Sequence, residues 1–242
     1  MIVNSPLPDI EIPGTDVASF FLGVKGSEIP RFVRSSNNET PENCDSVLLV
    51  DADSGETLSY RQLLITAYGF AYKLREELGV GEGDVVAVIS RPSIYLPPIH
   101  FAVLLVGGVY MPLNPHAGLD QLGLWLTQSS ARLVFAQPDL LENLELGSSK
   151  HAGACISAID EEEIRQLATS DEILDRQFRS PLFSIDNDAR QSRSTTAMIA
   201  FSSGTTDAQK AVKLNHRNLI SAFVQVGGYA TSHHSSGLAS ES

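Results

Sequence analysis

Between residues 81 and 136, apolar runs alternate with helical patterns, and this alternation restricts the fold more than any other feature of the chain. Gly83-Asp84 turns into an apolar run at residues 85–90, whose uninterrupted hydrophobicity suits a strand buried on both faces. A helix over about residues 93–106 follows, then a strand over 109–111 and a loop at Pro112-Leu-Asn-Pro115. Residues 118–129 read as a helix and 133–136 as a strand. The order strand, helix, strand, helix, strand predicts an α/β fold: a doubly wound, mostly parallel sheet with right-handed crossovers. Upstream, Ser59-Tyr-Arg-Gln62 has the form of a capping box. Behind it Tyr60, Leu63, Leu64, Ala67, Ala71, Leu74 and Leu78 form one helical stripe, which Gly79 and Gly81 stop. A short strand is expected near residues 46–50.

The second informative stretch begins with an apolar run at residues 197–201, which reads as a buried strand. Five hydroxyl or glycine residues follow it: Ser202, Ser203, Gly204, Thr205 and Thr206. Lys210 comes next, then a short strand at 211–214 and a helix starting near His216, which Asn215 is placed to cap. A loop of glycine and hydroxyl residues between strands offers backbone N–H groups and side-chain donors without bulk. A polyphosphate needs those groups to replace its water shell, and Lys210 adds positive charge. The same composition also suits an ordinary Ser/Thr-rich hairpin loop. A Walker A loop is excluded, because that motif ends Gly-Lys-Ser/Thr and Lys210 follows Gln209.

The order Ser202-Ser-Gly-Thr-Thr-x-x-x-Lys210, with His216-Arg-Asn-Leu219 behind it, resembles the phosphate loop of the adenylate-forming superfamily. That superfamily includes acyl-CoA synthetases, aryl-CoA ligases such as 4-coumarate:CoA ligase, and the adenylation domains of peptide synthetases. Thr57-Leu-Ser-Tyr60, Gly81-Glu-Gly-Asp-Val-Val-Ala-Val88 and Gly107-Gly-Val-Tyr-Met-Pro-Leu-Asn-Pro115 have counterparts there in the same order. The resemblance covers about residues 56–229. It implies an incomplete N-terminal adenylation domain of an ATP-dependent carboxylate-activating ligase, which forms an acyl-adenylate and then a thioester. It further implies ATP with Mg²⁺, CoA and a carboxylic acid as cofactors and substrates. Ser202, Ser203, Gly204, Thr205 and Thr206 would wrap the phosphates and Lys210 would pair with them. No catalytic residue and no metal ligand is assigned.

Three residues depart from the pattern. The family has Gly at the position of Asp207, Pro at that of Gln209 and Gly at that of Ala211. Asp207 sets a carboxylate where the family brings pyrophosphate, and like charges a few ångströms apart cost about 1 kcal/mol in water and more when desolvated. Weak ATP binding is therefore expected. The resemblance also calls for an aromatic-Gly-x-Thr-Glu segment, a Tyr-x-Thr-Gly-Asp segment and a mobile domain with a catalytic lysine. These are not found in the 242 residues. The expected chain is a ligase-like protein cut after its phosphate loop and catalytically impaired. The alternatives are a non-catalytic remnant and a binding or regulatory module that pairs with another ligase chain. A role in secondary metabolism follows only from the family.

Composition narrows the remaining classes. The 242 residues suffice for a sizeable core, with 43% hydrophobic and 19% charged residues. Residues 1–45 read as an irregular segment, 46–230 as the partial adenylation domain and 231–242 as a disordered polar tail. Lys and Arg number 17 against 29 Asp and Glu, a net charge of −12, which disfavours nucleic acid and anionic membrane as partners. Residues 94–113 lack formal charges, but Pro97, Pro98 and Gly107-Gly108 break the run, so helix, turn and strand are expected rather than a membrane span. Residues 1–17 have no apolar core of a signal peptide, and the chain ends Ser-Glu-Ser rather than in a peroxisomal tripeptide, so a cytoplasmic location is expected. Cys44 and Cys155 match no zinc or redox spacing. Glu161-Glu-Glu163 opens a surface helix, His116 belongs to a surface loop, and His216 is read as part of its helix cap.

Overall fold

The computed structural model describes residues 11–22, 45–140, 154–167, 183–185, 188–202 and 209–237, with backbone alone from 228. In chain order the elements are α1 (Val17–Leu22), β1 (Val47–Val50), β2 (Thr57–Ser59), α2 (Tyr60–Tyr72), β3 (Val85–Ile89), α3 (Leu96–Leu105) and β4 (Val109–Leu113). They continue with α4 (Leu119–Ser129), β5 (Leu133–Ala136), β6 (Cys155–Ala158), α5 (Glu161–Leu167), α6 (Ala189–Ser194), β7 (Thr196–Phe201), β8 (Ala211–Asn215) and α7 (His216–Gly237). β1 and β2 pair antiparallel in a small separate sheet. The main sheet has the order β6-β5-β3-β4-β7-β8, parallel throughout except for the antiparallel edge strand β8.

The sheet is doubly wound, as the sequence predicts. Val86 and Val88 of β3 face one core with Leu64 and Phe70 of α2 and Ile99 and Val103 of α3. Val85, Ala87 and Ile89 face the other with Leu122, Trp125 and Leu126 of α4. A strand with both faces covered must be apolar at every position, and β3 is Val-Val-Ala-Val-Ile, all buried.

The predicted signals act where they stand. The Ser59 hydroxyl accepts from the Gln62 N–H, and the Gln62 side chain accepts from the Ser59 N–H. α2 passes into a π-helical turn, Lys73–Glu77, and the chain leaves it at Gly79 with φ +63°. Gly107 has φ +77°, and a Cβ there would lie 2.9 Å from the Phe183 ring. At Gly108 a Cβ would lie 3.0 Å from Val103, so the glycine pair lets α3 close on β4.

Several elements differ from the expectation. β4 runs through Pro112 and Leu113, where a loop was expected, in parallel register with Val88 and Ile89. Its pairing with β7 is confined to Tyr110 and Met198, so the proline without an N–H interrupts no ladder on that side. β6 and α6 arise in stretches with no periodic signal. α1 lies within the segment read as irregular, and α7 continues into the stretch read as a disordered tail, as far as Gly237. Among the described residues no helix is long and apolar enough to cross a membrane.

Candidate functional site

β7 ends at Phe201 on the carboxyl side of the sheet, where ligands of open α/β sheets bind. Its neighbour β4 and the adjacent β3 send their crossover helices, α3 and α4, to opposite faces. The strand order turns back between β3 and β5, whose connections lead away from each other to β4 and β6, and that point leaves a crevice outside the strand ends. The loop after β4, at the same carboxyl side of the sheet, carries Asn114 and the exposed His116, whose N–H donates to Asn114 Oδ1 at 2.9 Å. His116 is thus a surface loop residue, as expected.

The hairpin formed by β7 and β8 carries the hydroxyl-rich loop. Phe201 pairs with Ala211, and beyond this pair the Ser202 N–H donates to the Lys210 carbonyl at 3.0 Å. Ser202 and Lys210 therefore stand opposite each other at the loop's mouth, the serine half-buried and the lysine exposed. Ser203, Gly204, Thr205, Thr206 and Asp207 lie outside the described residues. What joins the two residues is this backbone bond; a hydroxyl and an ammonium group are the types of donor that suit an anion.

The root of the hairpin is seated by groups the sequence did not reveal. The Trp125 indole on α4 stacks on Phe201 with centroids 4.9 Å apart and planes at 27°. Trp125 is 5% exposed, so the last residue before Ser202 rests on a buried aromatic. At the far end of β8, Asn215 caps α7 as predicted: its Oδ1 accepts from the Asn218 N–H at 2.8 Å, and Asn218 Oδ1 accepts from the Asn215 N–H at 3.1 Å. His216 takes no part in that cap, contrary to the sequence reading. It is buried, and its Nδ1 accepts from the Val17 N–H of α1 at 3.1 Å. No local signal marks this, because the partner lies 199 residues away. Burial holds the His216 imidazole below its ordinary range, with Asp16 acting in the opposite sense. His100 on α3 stacks on Tyr110 with ring centroids 4.2 Å apart. Burial first, and His216 second, pushes its imidazole down to about 4.

Cavities among the described residues lie on several sides of the sheet. An apolar groove of 640 Å³ is lined by Phe21, Leu49, Pro97, His100, Met198 and Phe223, among others. A more polar cleft of 590 Å³ lies near the amino ends of β3 and β4, with Asp84, Ser130, Thr196 and Lys213 on its walls. A third, of 420 Å³, lies at the carboxyl ends of β5 and β6, where Arg91 pairs with Asp139. The Glu161-Glu-Glu163 acids are engaged locally: Glu161 accepts from Ser93, Glu162 pairs with Arg165 and Glu163 pairs with Lys73. Among the described residues no group of three or more His, Cys, Asp or Glu could hold a metal ion. Cys155 is exposed as a free thiol; Cys44 lies outside the described residues.

Comparison with known proteins bears on this arrangement. The family model described as AMP-binding enzyme matches residues 37–239. A protein of Oryza sativa subsp. japonica described as 4-coumarate–CoA ligase-like 5 is 31% identical over 172 residues, covering 71% of this chain and 29% of that protein. The 4-coumarate–CoA ligase-like 9 of Arabidopsis thaliana is 28% identical over 227 residues, covering 91% of this chain and 37% of that protein. The chain thus spans about a third of the length of these relatives. Among solved structures, a long-chain-fatty-acid-CoA ligase from Archaeoglobus fulgidus superposes with a TM-score of 0.70 over 92% of this chain and 41% of that one. Its sequence identity is 16%, so this likeness concerns the fold.

Proposed function

This chain belongs to the AMP-binding enzyme family, and from that premise we propose that it is the phosphate-gripping part of an acyl-CoA ligase-like adenylation domain. Residues 46–230 are the adenylation portion, behind an N-terminal segment at 1–45. Ser202, Ser203, Gly204, Thr205 and Thr206 wrap the nucleotide phosphates, and Lys210 neutralises them. The observation that carries this reading is the pairing of Ser202 with Lys210 across the mouth of the β7–β8 hairpin. It sets a hydroxyl-bearing and a cation-bearing residue opposite each other at the carboxyl end of a strand that runs parallel to β4.

When bound, ATP with Mg²⁺ supplies an electrophilic α-phosphorus and a pyrophosphate leaving group. This chain's own residues supply grip and charge. They do not supply the alignment of a carboxylate or neutralisation of charge at the reacting centre, on which most of the rate rests. Grip without alignment does not yield turnover, so the chain by itself does not form an acyl-adenylate. Asp207, Gln209 and Ala211 favour a second reading, a non-catalytic remnant; a binding or regulatory module that pairs with another ligase chain is the other alternative. The carboxylic acid, CoA, a cytoplasmic location and a place in secondary metabolism belong to this proposal through the family.

Carboxylate-dependent ATP–pyrophosphate exchange tests the absence of turnover. Purified chain with Mg²⁺, ATP and a panel of aryl and fatty acids is expected to exchange no faster than a blank. Robust exchange with any of these acids overturns the proposal.

A further inference from the structure

Residues 12–19 lie some 170 to 200 positions from their partners, yet they are fastened to both flanks of the β7–β8 hairpin. On the flank before β7, the Ser192 hydroxyl donates to the Thr15 carbonyl at 2.9 Å, and the Ile185 N–H donates to Asp16 Oδ2 at 3.1 Å. On the flank after β8, the Arg217 guanidinium donates to the Ile12 carbonyl at 2.9 Å, and the Val17 N–H donates to His216 Nδ1 at 3.1 Å. The His216 N–H in turn donates to the Thr195 carbonyl at 3.3 Å, joining the two flanks. Asp16 is the knot. It is fully buried, and besides Ile185 it accepts from the Ser19 N–H and the Ser19 hydroxyl, both at 2.7 Å, which caps α1.

One bond of this set depends on protonation state. A nitrogen that accepts from a backbone N–H carries no proton, so Nδ1 of the buried His216 is bare. A proton added there would set donor against donor inside a dry contact and leave the Val17 N–H unsatisfied. The groups around the imidazole are Asp16 from the α1 side, His100 from α3 and Arg217 on its own helix; Arg190 and Arg193 on α6 are exposed. Asp16 favours the imidazolium, and burial opposes it more strongly.

We infer that His216 is a positioning residue which, with Asp16, forms an acid-sensitive latch holding residues 12–19 against both ends of the β7–β8 hairpin. What the hairpin carries rests on the proposed function; the latch itself is read without nucleotide. Acid releases the latch while the sheet persists, freeing α1 and the hairpin root together.

Amide hydrogen exchange on the whole chain, corrected for intrinsic rates, at about pH 7.5 and about pH 5.5 tests this. In the unmodified chain, protection in α1 and β8 is expected to fall by up to about tenfold between the two conditions, while β3 and β5 stay protected. His216→Asn, whose Oδ1 stands in for Nδ1 and does not titrate, is expected to keep its protection at both. His216→Leu is expected to lose it at both. Should His216→Leu fail to fold, the comparison with His216→Asn still decides. Equal protection of the unmodified chain at both pH values, or the same acid loss in His216→Asn, overturns the latch and leaves the nucleotide reading untouched. Failure of nucleotide binding with a normal acid response would do the reverse.

Discussion

His100 and His216 are both buried imidazoles held below their ordinary range, and they give stability a definite pH dependence. The unfolded imidazole titrates near 6.5, while His100 in the folded chain titrates at about 4. Between those values the unfolded state binds more protons, so stability is full above about 6.5 and falls as the pH drops. For His100 the loss amounts to about 3 kcal/mol at its limit, and His216 adds to it with the same sign. Denaturant midpoints at a series of pH values are expected to decline over this window, and the decline should shrink in His100→Phe. A flat profile would contradict the burial of both rings. At this scale the sequence was informative where structure is local: the Asn215 cap could be picked out by type and position. His216 could not, because its partner is the backbone of Val17, and nothing around residue 216 points to the start of the chain.

Among the elements, those with strong periodic signals were legible and those made by their neighbours were not. β3 and β5 stand where apolar runs placed them, since a strand covered on both faces must be apolar throughout. β6 is four residues, Cys-Ile-Ser-Ala, half-exposed and without alternation; parallel pairing with β5 makes it a strand. α1 has six residues and follows Pro13-Gly14, so propensity gave no sign of it; the Asp16 cap and the apolar core hold it. The β7–β8 hairpin depends in the same way on α4, through Trp125 against Phe201. Trp125→Ala is expected to cost about 3–5 kcal/mol, and Trp125→Phe much less. Chemical denaturation measures both. A cost below about 1 kcal/mol for the alanine would show that the indole does not seat the hairpin.

At the scale of the whole molecule, apolar surface remains open. Val47 and Val50 on β1 are 58% and 61% exposed, and Phe223 and Val226 on α7 are 47% and 69% exposed. β1 and α7 both border the 640 Å³ groove, through Leu49 and Phe223. Exposed apolar side chains of this size promote association. The chain is therefore expected to self-associate at micromolar concentration, and Phe223→Ser with Val226→Lys to reduce this. Sedimentation velocity over a concentration series reads the effect, and a strictly monomeric unmodified chain would contradict it. The α/β class and parallel direction were legible at this scale because each helical crossover in sequence returns the chain to a parallel strand of the same sheet.

The account turns on whether the β7–β8 loop grips a nucleotide through Lys210. Calorimetric titration with MgATP of the unmodified chain and Lys210→Ala addresses this most directly. We predict weak binding, on the order of millimolar, made about tenfold weaker by the substitution through loss of a charge-assisted contact. Equal affinity of the two proteins, or tight binding by the unmodified chain despite Asp207, would contradict it.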